Sequence, residues 1–91
     1  MEEEDIVEQP DHSFLIRGVT PLEDVEEALG VSFGEDEIET LNGFLISILD
    51  RIPLDDEHIV INHSGYRFEV LSIQNKMIQK VHVSKLEERD N

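Results

Sequence analysis

One apolar stripe at helical spacing, running from residue 38 to residue 52, constrains the fold of this sequence more than any other feature. Its members recur every three or four positions, as on the buried face of an amphipathic helix, and they are Ile38, Leu41, Leu45, Ile48, Leu49 and Ile52, with Phe44 beside them. Pro53 follows and cannot continue a helix. We therefore predict a core helix over residues 36–49. Gly43 within it costs about 1 kcal/mol relative to alanine, which predicts close approach of another backbone.

A second helix is predicted by the run Thr20-Pro21-Leu22-Glu23. Thr20 and Glu23 have the spacing of a capping box, in which each side chain accepts a hydrogen bond from the other residue's amide. Pro21 suits the first helical position, and Gly30 is a typical stop. The apolar face of this helix would carry Leu22, Val25, Ala28 and Leu29.

Strand-forming runs lie on both sides of the helices. Residues 6–9 and 13–17 flank the turn residues Pro10 and Asp11, which predicts a hairpin. After the helices, turns at residues 63–65 and 74–75 predict a meander of three strands, over residues 58–62, 66–73 and 76–84. The order ββ-α-α-βββ predicts an α+β fold, with two helices packed on a mainly antiparallel sheet.

The phase of the apolar residues predicts which side chains of the strands face the helices. Leu41, Leu45, Ile48 and Leu49 should pack against Phe68, Val70, Val81 and Val83, with Met77 on the same strand face as the two last valines. Two apolar residues fall out of phase after Val70, which predicts a β-bulge there. The aromatic residues Phe14, Phe33, Phe44, Tyr66 and Phe68 are predicted to belong to the core.

The charge of the chain excludes several classes of partner. It holds 22 acidic and 7 basic residues, a net charge of −15, and no cysteine. Nucleic acids and anionic lipid surfaces attract basic proteins, so neither is expected to bind. Without cysteine, disulfides, thiolate zinc sites and cysteine nucleophiles are excluded. No apolar run reaches the ~20 residues of a membrane span, so direct membrane insertion is not expected.

The acidity is concentrated in one part of the chain, and this suggests how the domain is bounded. Residues 1–66 hold 18 acidic and 2 basic residues, whereas residues 67–91 hold 4 and 5. We expect residues 1–5 to be an acidic tail or the end of an interdomain linker. Residues 6–84 would form the domain, and residues 85–91 a polar C-terminal tail.

Few residues suggest chemistry. Ser64 lies beside His63 in a predicted turn, but neighbours in sequence do not make a triad, so no catalytic residue is predicted and the chain is not expected to be an enzyme. Asp55, Asp56 and His58 are the candidate metal ligands, for weak binding of a divalent cation. A second acidic cluster, Glu35, Asp36, Glu37 and Glu39, should lie at the other end of the core helix, too far away to share an ion.

The order of short motifs along the chain resembles a known family. The motifs are Phe14-Leu15-Ile16-Arg17-Gly18, Thr20-Pro21-Leu22-Glu23-Asp24-Val25, Glu39-Thr40-Leu41-Asn42-Gly43-Phe44-Leu45, Arg51-Ile52-Pro53, Tyr66-Arg67-Phe68-Glu69-Val70-Leu71 and Ile78-Gln79-Lys80-Val81-His82-Val83. Together they resemble the transporter-associated domain at the C-terminus of CorC/HlyC-type magnesium and cobalt efflux proteins and hemolysin-like proteins with CBS domains. Acidic residues replace the family's usual glycines around Ile52-Pro53, which weakens any ligand role for that loop.

The resemblance implies a non-catalytic accessory or regulatory domain of a divalent-cation (magnesium or cobalt) efflux protein. It also implies a cytoplasmic position beside CBS domains and a membrane domain of the parent protein. A homodimer is a further hypothesis. The alternative function is binding of flavin-adenine dinucleotide or an adenine nucleotide, which follows only from analogy of fold. Acidic loops offer no attraction for a pyrophosphate, which weighs against this alternative.

Overall fold

The chain forms two helices and a five-stranded sheet in the computed structural model, which describes residues 4–86. The elements are β1 (Ile6–Glu8), β2 (Phe14–Arg17), α1 (Leu22–Leu29), α2 (Leu41–Leu49), β3 (Val60–His63), β4 (Tyr66–Gln74) and β5 (Met77–Lys85). Residues 1–3 and 87–91, which belong to the two predicted tails, lie outside the described part. Within that part, no helix is long and apolar enough to span a membrane.

The sheet has the strand order β1-β2-β5-β4-β3, and every neighbouring pair is antiparallel. The predicted α+β fold, the first hairpin and the final meander are therefore confirmed. β2 joins the two parts by pairing with β5, where Ile16 lies opposite Val81. This contact is not local in sequence, and no turn signal could have predicted it.

The core lies between the helices and one face of the sheet. Among its fully buried side chains are Ile16, Leu41, Leu45, Phe68, Ile78, Val81 and Val83. The predicted aromatic core is confirmed for Phe33, Phe44 and Phe68, which are buried. Phe14 and Tyr66 are partly buried and pack against the core cluster. The prediction was wrong for Ile52, which lies beyond α2 and is 60% exposed, and for Ile48. Ile48 lies in the last turn of α2 and stays 38% exposed, whereas Phe44 takes a central place in the core.

A double β-bulge sets which residues of β4 and β5 face the core. Val70 lies opposite Val81, Ser72 opposite Lys80, and Ile73 opposite Ile78, so each strand carries one extra residue between these pairs. The predicted bulge near Val70 is confirmed. The prediction that Met77 faces the core was wrong, because the extra residue on β5 reverses the alternation. Ile78 is buried in its place, and Met77 is 43% exposed.

The helix starts differ from the prediction because they are tied to each other. Pro21 forms an antiparallel bridge with Thr40, and the amide of Leu22 donates to the carbonyl of Glu39 at 2.8 Å. Thr40 is therefore extended, with a φ of −129°, and α2 begins at Leu41, five residues later than predicted. Thr40 caps it by accepting a 3.1 Å hydrogen bond from Gly43.

The predicted capping box of α1 is absent. Pro21 takes the cap position and makes no side-chain cap bond. Thr20 is fully buried, and its hydroxyl donates to the carbonyl of Asp5 at 3.4 Å. The predicted end at Gly30 is confirmed, with a φ of 70°.

The close backbone approach occurs at Gly18 and not at Gly43. A Cβ on Gly18 would lie 1.9 Å from the carbonyl oxygen of Ile78, whereas one on Gly43 would meet only ordinary contacts at 3.5 Å. Asn42 completes this junction. Its backbone amide donates to the Gly18 carbonyl at 2.8 Å, and its side-chain oxygen accepts from the backbone amide of Ile78 at 2.8 Å. The start of α2 is thereby hydrogen-bonded to β5 at the bulge.

Candidate functional site

The loop between α2 and β3 contains the predicted metal ligands and is held by one ion pair. Arg51 forms two hydrogen bonds with the carboxylate of Glu57, one of them 2.8 Å long. The same carboxylate accepts from the amide of Leu54 at 3.2 Å, and the Glu57 amide donates to the Leu54 carbonyl at 3.1 Å. Pro53 is fully buried between two exposed neighbours. The loop is therefore anchored at its middle and closed across its base.

The three candidate ligands lie along one shallow cavity, and two of them, His58 and Asp55, contact different residues. Asp55, Asp56 and His58 line a cavity of about 210 Å³ beside β4. His58 Nε2 lies 3.3 Å from a carboxylate oxygen of Glu69, and Asp55 Oδ1 accepts from the amide of Lys76 at 3.4 Å. No three His, Asp or Glu side chains of residues 4–86 are grouped closely enough to hold a metal ion. The weak metal site stays a prediction.

Glu57 has a pKa lowered from 4.5 to about 2, chiefly by the hydrogen bonds from Arg51 and next by the Leu54 amide. Because the pKa of Glu57 is lowered, its ion pair with Arg51 is fully formed above pH 4.5 and is lost as the pH falls toward about 2. We expect NMR titration of the Glu57 carboxyl carbon to give a midpoint well below that of an ordinary glutamate. Arg51→Gln should return it toward 4.5, whereas Arg67→Gln, at an arginine 4.0 Å from Glu69, should leave it unchanged. A midpoint near 4.5 for Glu57 in the unaltered chain would contradict the Arg51–Glu57 ion pair.

The second acidic cluster includes residues of α1 that the spacing along the sequence did not predict to lie there. Glu35, Asp36 and Glu39 line a cavity of about 390 Å³ together with Glu23 and Glu26 of α1. The bridge between the two helix starts brings them together, which explains why local patterns missed α1's contribution. Glu26 also accepts from the amide of Phe33 at 2.7 Å, which ties the connecting loop to α1. Such a cleft attracts multivalent cations by charge alone. It shares no lining residue with the Asp55–His58 cavity.

The histidine and serine pairs do not form a catalytic arrangement. His63 Nδ1 lies 2.7 Å from the Ser64 hydroxyl, and its ring packs edge-on to Phe44 with a centroid distance of 5.2 Å. Near the first turn, Ser13 donates to Asp11 at 2.6 Å and lies 3.0 Å from His82 Nε2. Here the carboxylate holds the serine and not the imidazole, which is the wrong order for a nucleophile activated by a base. The hydrogen bonds from Ser13 also lower the pKa of Asp11.

Comparisons with known proteins agree with the resemblance seen in the sequence. A family model described as the transporter associated domain CorC_HlyC matches residues 7–87. The polyamine export protein of Haemophilus influenzae is 37% identical over 98% of this chain, and the magnesium and cobalt efflux protein CorC of Escherichia coli strain K12 is 32% identical over 79%. This chain spans only 21% and 24% of the lengths of those two proteins.

A solved structure of a similar domain bears on cation binding. It is the transporter associated domain of a Xylella fastidiosa Temecula1 hemolysin in complex with Mg²⁺ and Mn²⁺. It has 33% identity to this chain and a TM-score of 0.75, and the match covers 92% of this chain and 100% of the other. The predicted resemblance and fold are thus confirmed.

Proposed function

Because the chain belongs to the transporter associated domain family, CorC/HlyC, we propose that it is a non-catalytic accessory domain of a cation efflux protein. The match over residues 7–87 carries this proposal. The small share of each relative that the chain spans also supports it, since such a domain would act together with a larger remainder. Nothing in the relatives' names or among residues 4–86 favours the flavin or adenine-nucleotide alternative.

The cargo proposed for the parent protein is a multivalent cation. The relatives are named for export of magnesium and cobalt and for export of polyamines, and these share small size and multiple positive charge. The sequence alone predicted magnesium or cobalt, and the polyamine exporters widen this to include organic cations. The net charge of −15 supports the wider class, because a strongly acidic surface raises the local concentration of any multivalent cation.

The domain's own part would be weak binding of such a cation on the cytoplasmic side, beside CBS domains and a membrane domain of the parent protein. We keep Asp55, Asp56 and His58 as the proposed site. They face one cavity, and a similar domain was solved with Mg²⁺ and Mn²⁺. One or two carboxylates completed by water would hold a hard cation with a dissociation constant of about a millimolar. The acidic cleft beside α1 is the competing location.

An amide NMR titration of the chain with MgCl₂ and with spermidine tests the proposal. We expect saturable shifts around Asp55–His58 at about millimolar ligand, beyond those caused by NaCl at equal ionic strength. Asp55→Asn with Asp56→Asn should remove them, and the matched pair Glu35→Gln with Asp36→Asn should not. Shifts confined to the cleft beside α1, or no shifts beyond the NaCl control, would contradict the proposed site. A flavin absorbance band in the purified chain would favour the alternative function.

A further inference from the structure

The loop after α2, which the Arg51–Glu57 ion pair closes, presents two large aliphatic side chains to solvent. We refer to these two residues, Ile52 and Leu54, as the loop tip. They are 60% and 67% exposed, the two highest values among the exposed large hydrophobic residues in the described part. We propose that the loop tip is a docking surface for a lysine- or arginine-rich amphipathic segment from the rest of the parent polypeptide. This proposal rests on the proposed function, because it takes the chain to be one domain of a longer exporter.

The loop tip is held rigidly, although exposure of two aliphatic side chains to water gains nothing for the isolated domain. Pro53, whose side chain is fully buried, lies between the two residues. The Arg51–Glu57 pair closes the loop, and both backbone groups of Leu54 are hydrogen-bonded to Glu57. A partner that binds an ordered loop does not have to pay the entropy of ordering it. Rigid, exposed apolar anchors of this kind are typical of an interaction surface.

A groove beside the loop tip offers space for a bound partner. Ile52, Pro53 and Leu54 form one wall of a cavity of about 700 Å³, and Asn75 and Lys76 of the β4–β5 turn form the other. The hydrogen bond from the Lys76 amide to Asp55 holds the two walls together. A cavity of about 700 Å³ has room for several side chains of a short helix or extended segment.

The charges around the groove select a basic partner. Among the described residues that line the groove, Asp55 and Asp56 are acidic and Lys76 alone is basic. A second copy of the chain carries the same net charge of −15 and would be repelled, and an anionic membrane surface would be repelled in the same way. A segment with apolar residues on one face and lysine or arginine on the other matches both the aliphatic tip and its acidic edge.

The remainder of the parent protein is the expected source of that segment. The relatives are about three to five times as long as this chain, and its matches cover 21% and 24% of them. If the parent has membrane helices, as proposed above, their cytoplasmic flanks carry an excess of lysine and arginine. Such flanks, or a basic amphipathic helix beside them, have the charge and apolar content that the groove requires.

Fluorescence anisotropy with labelled model peptides, together with amide NMR mapping, tests the proposal. The probes are a short helical Leu/Lys peptide, a Ser/Lys peptide of equal charge and a Leu/Glu peptide. We expect the Leu/Lys peptide to bind about tenfold more tightly than the Ser/Lys peptide, with shifts at Ile52–Asp56, and the Leu/Glu peptide not to bind. Leu54→Ser should lower the Leu/Lys affinity about tenfold. Val60→Ser, at a 40% exposed residue of β3, should change it less than about twofold.

Several results would overturn the proposal. Equal binding of the Leu/Lys and Ser/Lys peptides would show attraction by charge alone. Self-association in sedimentation that Leu54→Ser abolishes would assign the loop tip to a second copy, and flotation with anionic vesicles would assign it to a membrane. Because Leu54 is exposed, its variant should keep the unfolding midpoint of the unaltered chain. Peptide binding without any cation shift would leave the docking surface intact and count against the cation role, and the reverse result would count against docking.

Discussion

Replacing Gly18 with alanine is expected to lower the free energy of unfolding by about 3 kcal/mol, the upper end of the usual cost of overpacking. The new Cβ would lie 1.9 Å from the Ile78 carbonyl oxygen and 2.8 Å from its carbonyl carbon. Both are backbone atoms, so no side chain can rotate away. Separating the strands would disturb the hydrogen bonds from Gly18 to Gln79 and from Asn42 to Gly18. Urea unfolding followed by circular dichroism measures the loss.

Gly43→Ala is the matched control for this experiment. Its Cβ would meet Ile38 and Thr40 at 3.5 Å, which is ordinary contact. Since alanine favours a helix over glycine, we expect a gain of about 0.5–1 kcal/mol or no change. If Gly43→Ala costs as much as Gly18→Ala, the backbone junction has been placed at the wrong glycine.

Leu45→Ala is expected to cost about 2–5 kcal/mol, the usual range for truncation of a buried leucine. Leu45 is fully buried at the middle of α2, so its removal leaves a cavity between helix and sheet that α2 cannot close. A domain of this size has about 5–10 kcal/mol of stability in total. The variant should therefore unfold at a much lower urea concentration, or fail to fold at raised temperature.

Ile48→Ala supplies the comparison on the same helix. Ile48 is 38% exposed, so less apolar area returns to water, and a loss of about 1 kcal/mol is expected. The difference between the two variants reports how α2 lies on the sheet. A loss below about half a kcal/mol for Leu45→Ala, or equal losses for both, would mean that the buried face of α2 is assigned wrongly.

The sequence by itself determined the kind and order of the elements, because the signals involved are local. Apolar spacing placed α1 and α2, and turn residues placed the first hairpin and the final meander. Gly30 ended α1 as predicted, since a residue in the left-handed region needs no distant partner to stop a helix. The phase slip after Val70 was also enough to predict a bulge, although not its second half on β5.

Only the tertiary structure decided the features that depend on residues far apart in the chain. The Pro21–Thr40 bridge shortened α2 and brought Glu23 and Glu26 beside Glu35. For the candidate metal site, residue type alone identified Asp55, Asp56 and His58 as the candidate ligands. The actual partners of His58 and Asp55 are Glu69 of β4 and Lys76 of the β4–β5 turn, both later in the chain. Local periodicity records how each segment presents its own side chains, whereas hydrogen bonds between segments depend on how the segments meet in the folded chain.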